Sequence, residues 1–448
     1  MAKDKSEKEI KQENKQEKKQ EKKNRYKKDE KKEKKKRLKT ENKHVEKKTV
    51  PMEYTFSHTV EETRVDAPVS KDVISAKTKT AVLILLGCLL SVIIATGWNY
   101  IAPDKLINSI RKGLSANYGE DFPTPISGTK ISSGNFQYEN GYLTYVSDTS
   151  LICLNKTAGK VVDRPISFLQ PALEISGDQL LTYNINGNGF QVDSVGETKT
   201  RNELENPIIQ GDIAGNGVYG FITTAEGYLS KLTVFDSSNK QKFAYYFSEY
   251  YATSMTINQS GTQAAVATVS SSDGDFKSVI YVLDFTKEEP IATIDVGKTL
   301  IYRCEFMDNG SIAAIGDNQA LMIQSNYTDI DKYNYDGLTL TSYAFDRTQG
   351  GVIALSPSTD GGNCHLVYLN KNGTLEKITD TQYRILDLDL YGGKLAALCD
   401  GGFTAFYTTR GEEAGIAESG LDAQGITMYG ENSIYVLGIS EIREVSAG

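Results

Sequence analysis

The 448-residue chain is poor in the side chains that most chemistry requires, with three histidines, five cysteines and one tryptophan. Two of the histidines precede residue 80, so only His365 is left in the long C-terminal part. A Ser-His-Asp hydrolase needs a histidine base beside its nucleophile. His365 follows Cys364 at the start of a predicted strand, where adjacent side chains point to opposite sides, which argues against a joint Cys-His centre.

Cys88 lies in an apolar run, and Cys153, Cys304, Cys364 and Cys399 are scattered without any C-x-x-C pair. That spacing excludes a zinc framework and predicts buried free thiols, with a Cys364–Cys399 bridge left open because spacing cannot decide pairing. No phosphate-cradling loop is present, and the NGNG of Asn186–Gly189 reads as a hairpin. Asp273 and Asp275 flank an Asp-Gly hairpin tip without the oxygen ligand set of a calcium loop. No metal or other cofactor is expected.

What the chain does contain is an uncharged run from Thr80 to Pro103, with the apolar stretch AVLILLGCLLSVIIATGW at Ala81–Trp98. About 20 residues at roughly 1.5 Å each span a hydrocarbon layer of about 30 Å, so residues 80–101 are predicted to cross a lipid bilayer as one helix. No small-x-small cleavage site follows, and the run reads as an uncleaved anchor. Trp98 and Tyr100 suit the membrane interface.

Charge divides along the same line. Residues 1–79 carry 26 Lys+Arg and 16 Asp+Glu, a net of +10; the remainder carries 24 and 42, a net of −18, together giving −8. The positive-inside rule then places the basic segment in the cytoplasm and the acidic bulk outside the cell. Residues 3–48 are almost all Lys, Glu, Gln, Asn and Asp, which predicts a solvated, disordered tail. Its densest part, Lys27–Lys39, has anionic lipid as its first candidate partner; nucleic acid ranks lower because no aromatics interleave to stack on bases. Residues 102–122 read as a stalk, with Leu106, Ile107, Ile110 and Leu114 at helical spacing.

From about Gly128 onward, short runs rich in Val, Ile, Leu, Tyr, Phe and Thr alternate with Asn-Gly, Asp-Gly, Ser-Gly and Gly-Gly turns. This is an all-β pattern built of hairpins. The units repeat, with first strands predicted near residues 134, 171, 207, 251, 299, 340, 383 and 424. A spacing of about 41 residues matches four-stranded propeller blades. The expected fold is an eight-bladed β-propeller over residues 123–448, with seven blades as the alternative. The last unit has room for three strands, and Gly128–Gly134 is expected to supply the fourth and close the ring.

Phe122-Pro123, SDTSLICLNKTAGKVV (Ser147–Val162) and LQPALEISGDQLLTYNINGNGFQV (Leu169–Val192) resemble an uncharacterised family of membrane-anchored propellers from Gram-positive anaerobes. The similarity spans roughly residues 100–448 and implies a topology and a fold, but no activity, since that family carries a domain of unknown function. The blades resemble WD-repeat and quinoprotein propellers more loosely: there is no Gly-His…Trp-Asp pair, so neither quinone binding nor WD-type partner motifs carry over.

Two groups remain as candidate functional residues. Asp387 and Asp389, in LDLDL, share one face of a predicted inner strand and point together to a central channel or a blade interface. Tyr245, Tyr250 and Tyr251 in FAYYFSEYY, with Tyr333 and Tyr335 in YNYDG, form aromatic clusters suited to a contact surface. The functional expectation is a non-catalytic binding or scaffold module at the cell envelope, whose partner is an envelope protein or polymer. The alternatives are an envelope glycan or peptide hydrolase using the Asp387–Asp389 pair, and a sensor coupling an outside ligand to the tail.

Overall fold

The computed structural model describes residues 118–447 apart from Gly196, Asp273 and Thr359, and leaves the side chains of Ser133 and Ser272 undescribed. The tail, the anchor and residues 102–117 of the stalk lie outside the described residues. Among the described residues no helix is long and apolar enough to cross a membrane.

Eight four-stranded antiparallel sheets follow one another, each formed by consecutive strands except the last. They are the blades of a propeller. The inner strands are Ile131–Glu139, Pro171–Ser176, Ile208–Ile213, Tyr251–Ile257, Ile301–Phe306, Thr339–Asp346, Ile385–Tyr391 and Gly425–Gly430, in blades 1 to 8. Each starts within three residues of its predicted position, because Gly-containing turns mark the strand ends. The first turn shows why: Asn140 and Gly141 hold φ of 51° and 85°, the paired positive values of a two-residue hairpin, which Asn-Gly tolerates.

Ring closure differs from expectation in its residues. The fourth strand of blade 8 is Thr124–Pro125, pairing Thr124 with Ile442 and Pro125 with Glu441. Gly128–Gly134, assigned by sequence to that role, does not pair there: residues 128–130 lie in the connecting loop, and Ile131 to Gly134 begin the inner strand of blade 1. A two-residue strand has no period to detect, whereas Ile131 looks like a strand residue wherever it sits. The ring is closed further by Phe122, whose ring lies 4.7 Å from that of Tyr435.

There is no single central core. Eight apolar clusters occupy the eight blade interfaces, one per seam. Middle strands present small residues there, such as Ala264, Ala265, Ala267, Ala313, Ala314, Ala396 and Ala397, all fully buried, which lets neighbouring sheets approach closely. Cys153, Cys304, Cys364 and Cys399 are free and buried in these seams, and no Cys364–Cys399 bridge forms. Burial pushes the thiols of Cys153 and Cys304 up to about 11 and that of Cys399 up to about 12, leaving them unreactive at neutral pH.

Phe122→Ala should lower the thermal midpoint by a few degrees, about 1–2 kcal/mol for a half-buried ring at the ring's only non-consecutive sheet. Thermal unfolding reads this, and an unchanged midpoint would show that the closure does not limit stability.

Candidate functional site

The inner strands stitch the ring together by side chains that reach the backbone of the next blade. Asn135 accepts from Leu173 N–H at 3.0 Å and donates to the Pro171 carbonyl at 2.7 Å. Gln210 accepts from Met255 N–H at 2.7 Å, and Asp212 from Ile257 N–H. Ser254 and Thr256 accept from Cys304 and Phe306, and Thr427 accepts from Tyr138. These residues recur at i and i+2 because one strand face meets one neighbouring blade.

Asp387 and Asp389 belong to this set. Asp387 accepts from Ile426 N–H at 2.9 Å; Asp389 accepts from Met428 N–H at 2.7 Å and from the Thr427 hydroxyl at 3.0 Å. Of the two positions the sequence left open, the structure assigns them to the interface between blades 7 and 8. Burial pushes Asp387 up to about 7 and Asp389 up to about 6, against the pull of these backbone donors.

The channel itself is crossed by charge. Arg303 of blade 5 forms a two-pronged pair with Glu174 of blade 2, at 2.8 and 3.0 Å, although the two are 129 residues and three blades apart. Arg347, in the first turn of blade 6, reaches Asp212 of blade 3 at 3.5 Å and Glu305 of blade 5 at 2.7 Å. Glu305 also accepts from Arg303 at 3.4 Å, joining the two spans. The three carboxylates are mostly buried, with side-chain exposures of 14 % for Glu174, 6 % for Glu305 and 1 % for Asp212. Burial opposes the charge of both arginines, yet the facing Glu174, Glu305 and Asp212 hold them protonated. Burial likewise pushes Asp212 upward, with Arg347 opposing. Sequence reasoning missed this network because nothing local relates Arg303 to Glu174.

The remaining predicted positions are dispersed. His365 pairs with Asp380, its cross-strand neighbour, which also holds Lys377 at 2.9 Å; Cys364 is buried in the adjacent seam. Asp275 pairs with Lys298 at 2.6 Å, and Asp273 lies outside the described residues. Tyr333 is half-buried, and Tyr335 is only 1 % exposed within the blade 5–6 cluster, so the latter cannot serve as a contact residue. Tyr245 and Tyr250 are half-buried around Tyr281, with ring centroids 6.2 and 6.3 Å from it, while Tyr251 is 56 % exposed.

Antiparallel strand order sends the second-to-third-strand turns and the links between blades to one end of the ring. Among the described residues, nine of the thirteen exposed large apolar side chains lie there: Leu169, Tyr228, Tyr251, Phe276, Tyr302, Tyr383, Leu386, Leu421 and Ile439. The same end carries Asp148, Glu205, Glu226, Glu249, Asp317, Asp336, Asp360, Asp400 and Asp422, against few bases, chiefly Lys130, Lys298 and Arg384. The chain reaches the ring at the other end, where Gly119 N–H and Asp121 N–H both donate to Thr157 in a third-to-fourth-strand turn of blade 1.

Carboxyl groups whose folded values are raised bind protons that the unfolded chain has released. Their stabilising contribution is therefore full below about pH 4 and lost as pH rises through 6 to 7. The thermal midpoint of Asp387→Asn relative to the parent should be more favourable at pH 8 than at pH 5, by about 2 °C or more. The opposite trend would mean that Asp387 is stabilised as a carboxylate.

Comparison with curated proteins finds no match. Among solved structures the ring is similar to Saccharomyces cerevisiae Sqt1, with TM-score 0.53, 10 % identity, and coverage of 73 % of this chain and 100 % of that one. It is also similar to the C-terminal WD40 domain of Sif2, with TM-score 0.51, 13 % identity, and coverage of 73 % and 99 %. The computationally designed Ika8 protein gives TM-score 0.51, 12 % identity, and coverage of 72 % and 98 %. At such identities these likenesses establish the β-propeller fold alone. A family model matches residues 124–446, from the closing strand to the end of blade 8, and the chain belongs to that family of unknown function, DUF5711.

Proposed function

We propose that the protein is a non-catalytic docking module, held at the cell membrane by residues 80–101, with the basic tail in the cytoplasm and the propeller displayed at the envelope. The observation that carries this reading is the gathering of exposed apolar side chains at one end of the ring, where singly scattered ones would need no explanation. The point of chain arrival adds to it. Residues 119–121 join the ring at the opposite end, so a chain anchored upstream would turn the apolar loops away from the membrane.

The channel and the seams beside it favour a structural role for their residues. Asp387 and Asp389, on which a hydrolase reading rested, accept backbone N–H groups of blade 8, and Arg303, Arg347, Glu174, Glu305 and Asp212 are spent on one another. A general acid or base must reach a substrate proton, and these carboxylates are engaged by the fold instead.

Two measurements test the proposal. A tag placed before residue 79 should be protected from external protease in intact cells and one at the C-terminus cleaved; the reverse pattern overturns the topology. A photo-crosslinker at Tyr251, Tyr302 or Leu421 should capture envelope components, whereas one at Asn372 or Arg410, in turns at the other end, should not. Equal capture from both ends, or turnover of an envelope glycan or peptide that Asp387→Asn abolishes in a folded protein, overturns the docking reading.

A further inference from the structure

Blades 3 to 5 differ from the rest of the apolar end. Their exposed large apolar residues at this end are aromatic in each case: Tyr228 at 48 %, Tyr251 at 56 %, Phe276 at 53 % and Tyr302 at 47 %. Beyond this sector the exposed apolar residues are mainly aliphatic, Leu169, Leu386, Leu421 and Ile439. Two carboxylates adjoin the aromatics: Glu226 opens the turn that leads to Tyr228, and Glu249 lies in the link that leads to Tyr251. Neither makes an ion pair among the described residues, while nearby Asp275 and Asp295 are each matched, by Lys298 at 2.6 Å and Lys277 at 2.9 Å. At the rim of this sector the surface already shows how it receives a cation: the Lys231 ammonium sits 5.2 Å from the centroid of the Tyr246 ring, which lies tilted against Tyr228 with centroids 4.8 Å apart.

From these observations we infer that the aromatic sector over blades 3 to 5 is the docking site for a basic polypeptide segment that also carries apolar or aromatic side chains. The inference deepens the docking reading above and rests on it. Unpaired carboxylates select against acidic partners and draw basic ones. Exposed Tyr and Phe faces add cation–π and stacking contacts, for which a guanidinium is better suited than an ammonium. Charge alone is an incomplete match, because four exposed aromatics gain little from a wholly hydrophilic chain. The protein's own tail illustrates the point: residues 3–48 are basic but contain only Ile10, Tyr26, Leu38 and Val45 as apolar or aromatic side chains. They complement the charge of the sector and not its aromatics.

The test uses the full chain in detergent micelles and fluorescently labelled peptides, read by anisotropy at low and physiological salt. The probes are an alternating Arg-Phe peptide, Arg-Ser and Glu-Phe peptides of the same length, and a peptide of the tail sequence Lys27–Lys39. The Arg-Phe peptide should bind at least about tenfold more tightly than the other three. Tyr251→Ala with Phe276→Ala should weaken it about tenfold, and Glu226→Gln with Glu249→Gln should weaken it severalfold and flatten its salt dependence. Asn372→Ala, at the other end, should leave binding unchanged, and thermal midpoints confirm that each variant is folded.

Equal binding of Arg-Ser reduces the site to charge and overturns the inference. Equal binding of Glu-Phe removes the charge selection and does the same, and equal binding of the tail peptide makes the tail the occupant. If no peptide binds while crosslinkers at Tyr251 still capture envelope components, the partner chemistry is wrong and the docking reading survives. If neither occurs, both fail.

Discussion

The structure depends on charge pairs that span its channel. Eight blades leave a wider hole than fewer blades would, and inner strands on opposite sides cannot pack against one another across it. Arg303 to Glu174 and Arg347 to Asp212 each join blades three positions apart, and Glu305 ties the two spans together. Such pairs give up hydration, and their mutual attraction must offset that loss. The two-pronged geometry at 2.8 and 3.0 Å and the shared Glu305 supply contacts that offset part of that loss.

Around this bracing, the seams use two kinds of contact with different purposes. Apolar clusters between blades supply most of the burial, since each sheet has two faces and both are covered. Side chains of the inner strands then fix the relative height of adjacent blades by bonding backbone groups that the neighbouring strand leaves unpaired toward the channel, as Asp387, Asp389, Gln210 and Asn135 do. Leaving such a buried N–H unmatched would cost about 1–3 kcal/mol. Loops at the apolar end share this burden through polar groups, as where Gln319 donates to the Val296 carbonyl and Arg443 to Asp422. Their exposed side chains are free to be selected for contact.

Local pattern made the fold legible and concealed the site. Strand alternation and Gly-containing turns act over a few residues, so all eight blades could be placed from the sequence. Thr124–Pro125 could not, because its strand character comes only from the edge of blade 8 that it covers. Asp387 and Asp389 were recognisable as partners on one face, since the strand period is local, but the blade they touch was not. Tyr335 and Tyr251 sit in similar Tyr-rich segments, yet one is enclosed between blades and the other opens to solvent. The aromatic sector was invisible for the same reason: Tyr228, Tyr251, Phe276 and Tyr302 are spread over three units, and only the return of every unit to the same end collects them.

On the docking reading proposed above, the channel charges brace the ring while recognition belongs to the loops. Replacing Arg303 by Met alone should destabilise the protein by about 3 kcal/mol, because Glu174 is left buried without its cation. Adding Glu174→Leu should recover most of that loss, and crosslinkers at Tyr251 should capture the same envelope components as in the parent. A doubly substituted protein of parental stability that no longer captures them would contradict the claim and make the channel the working site.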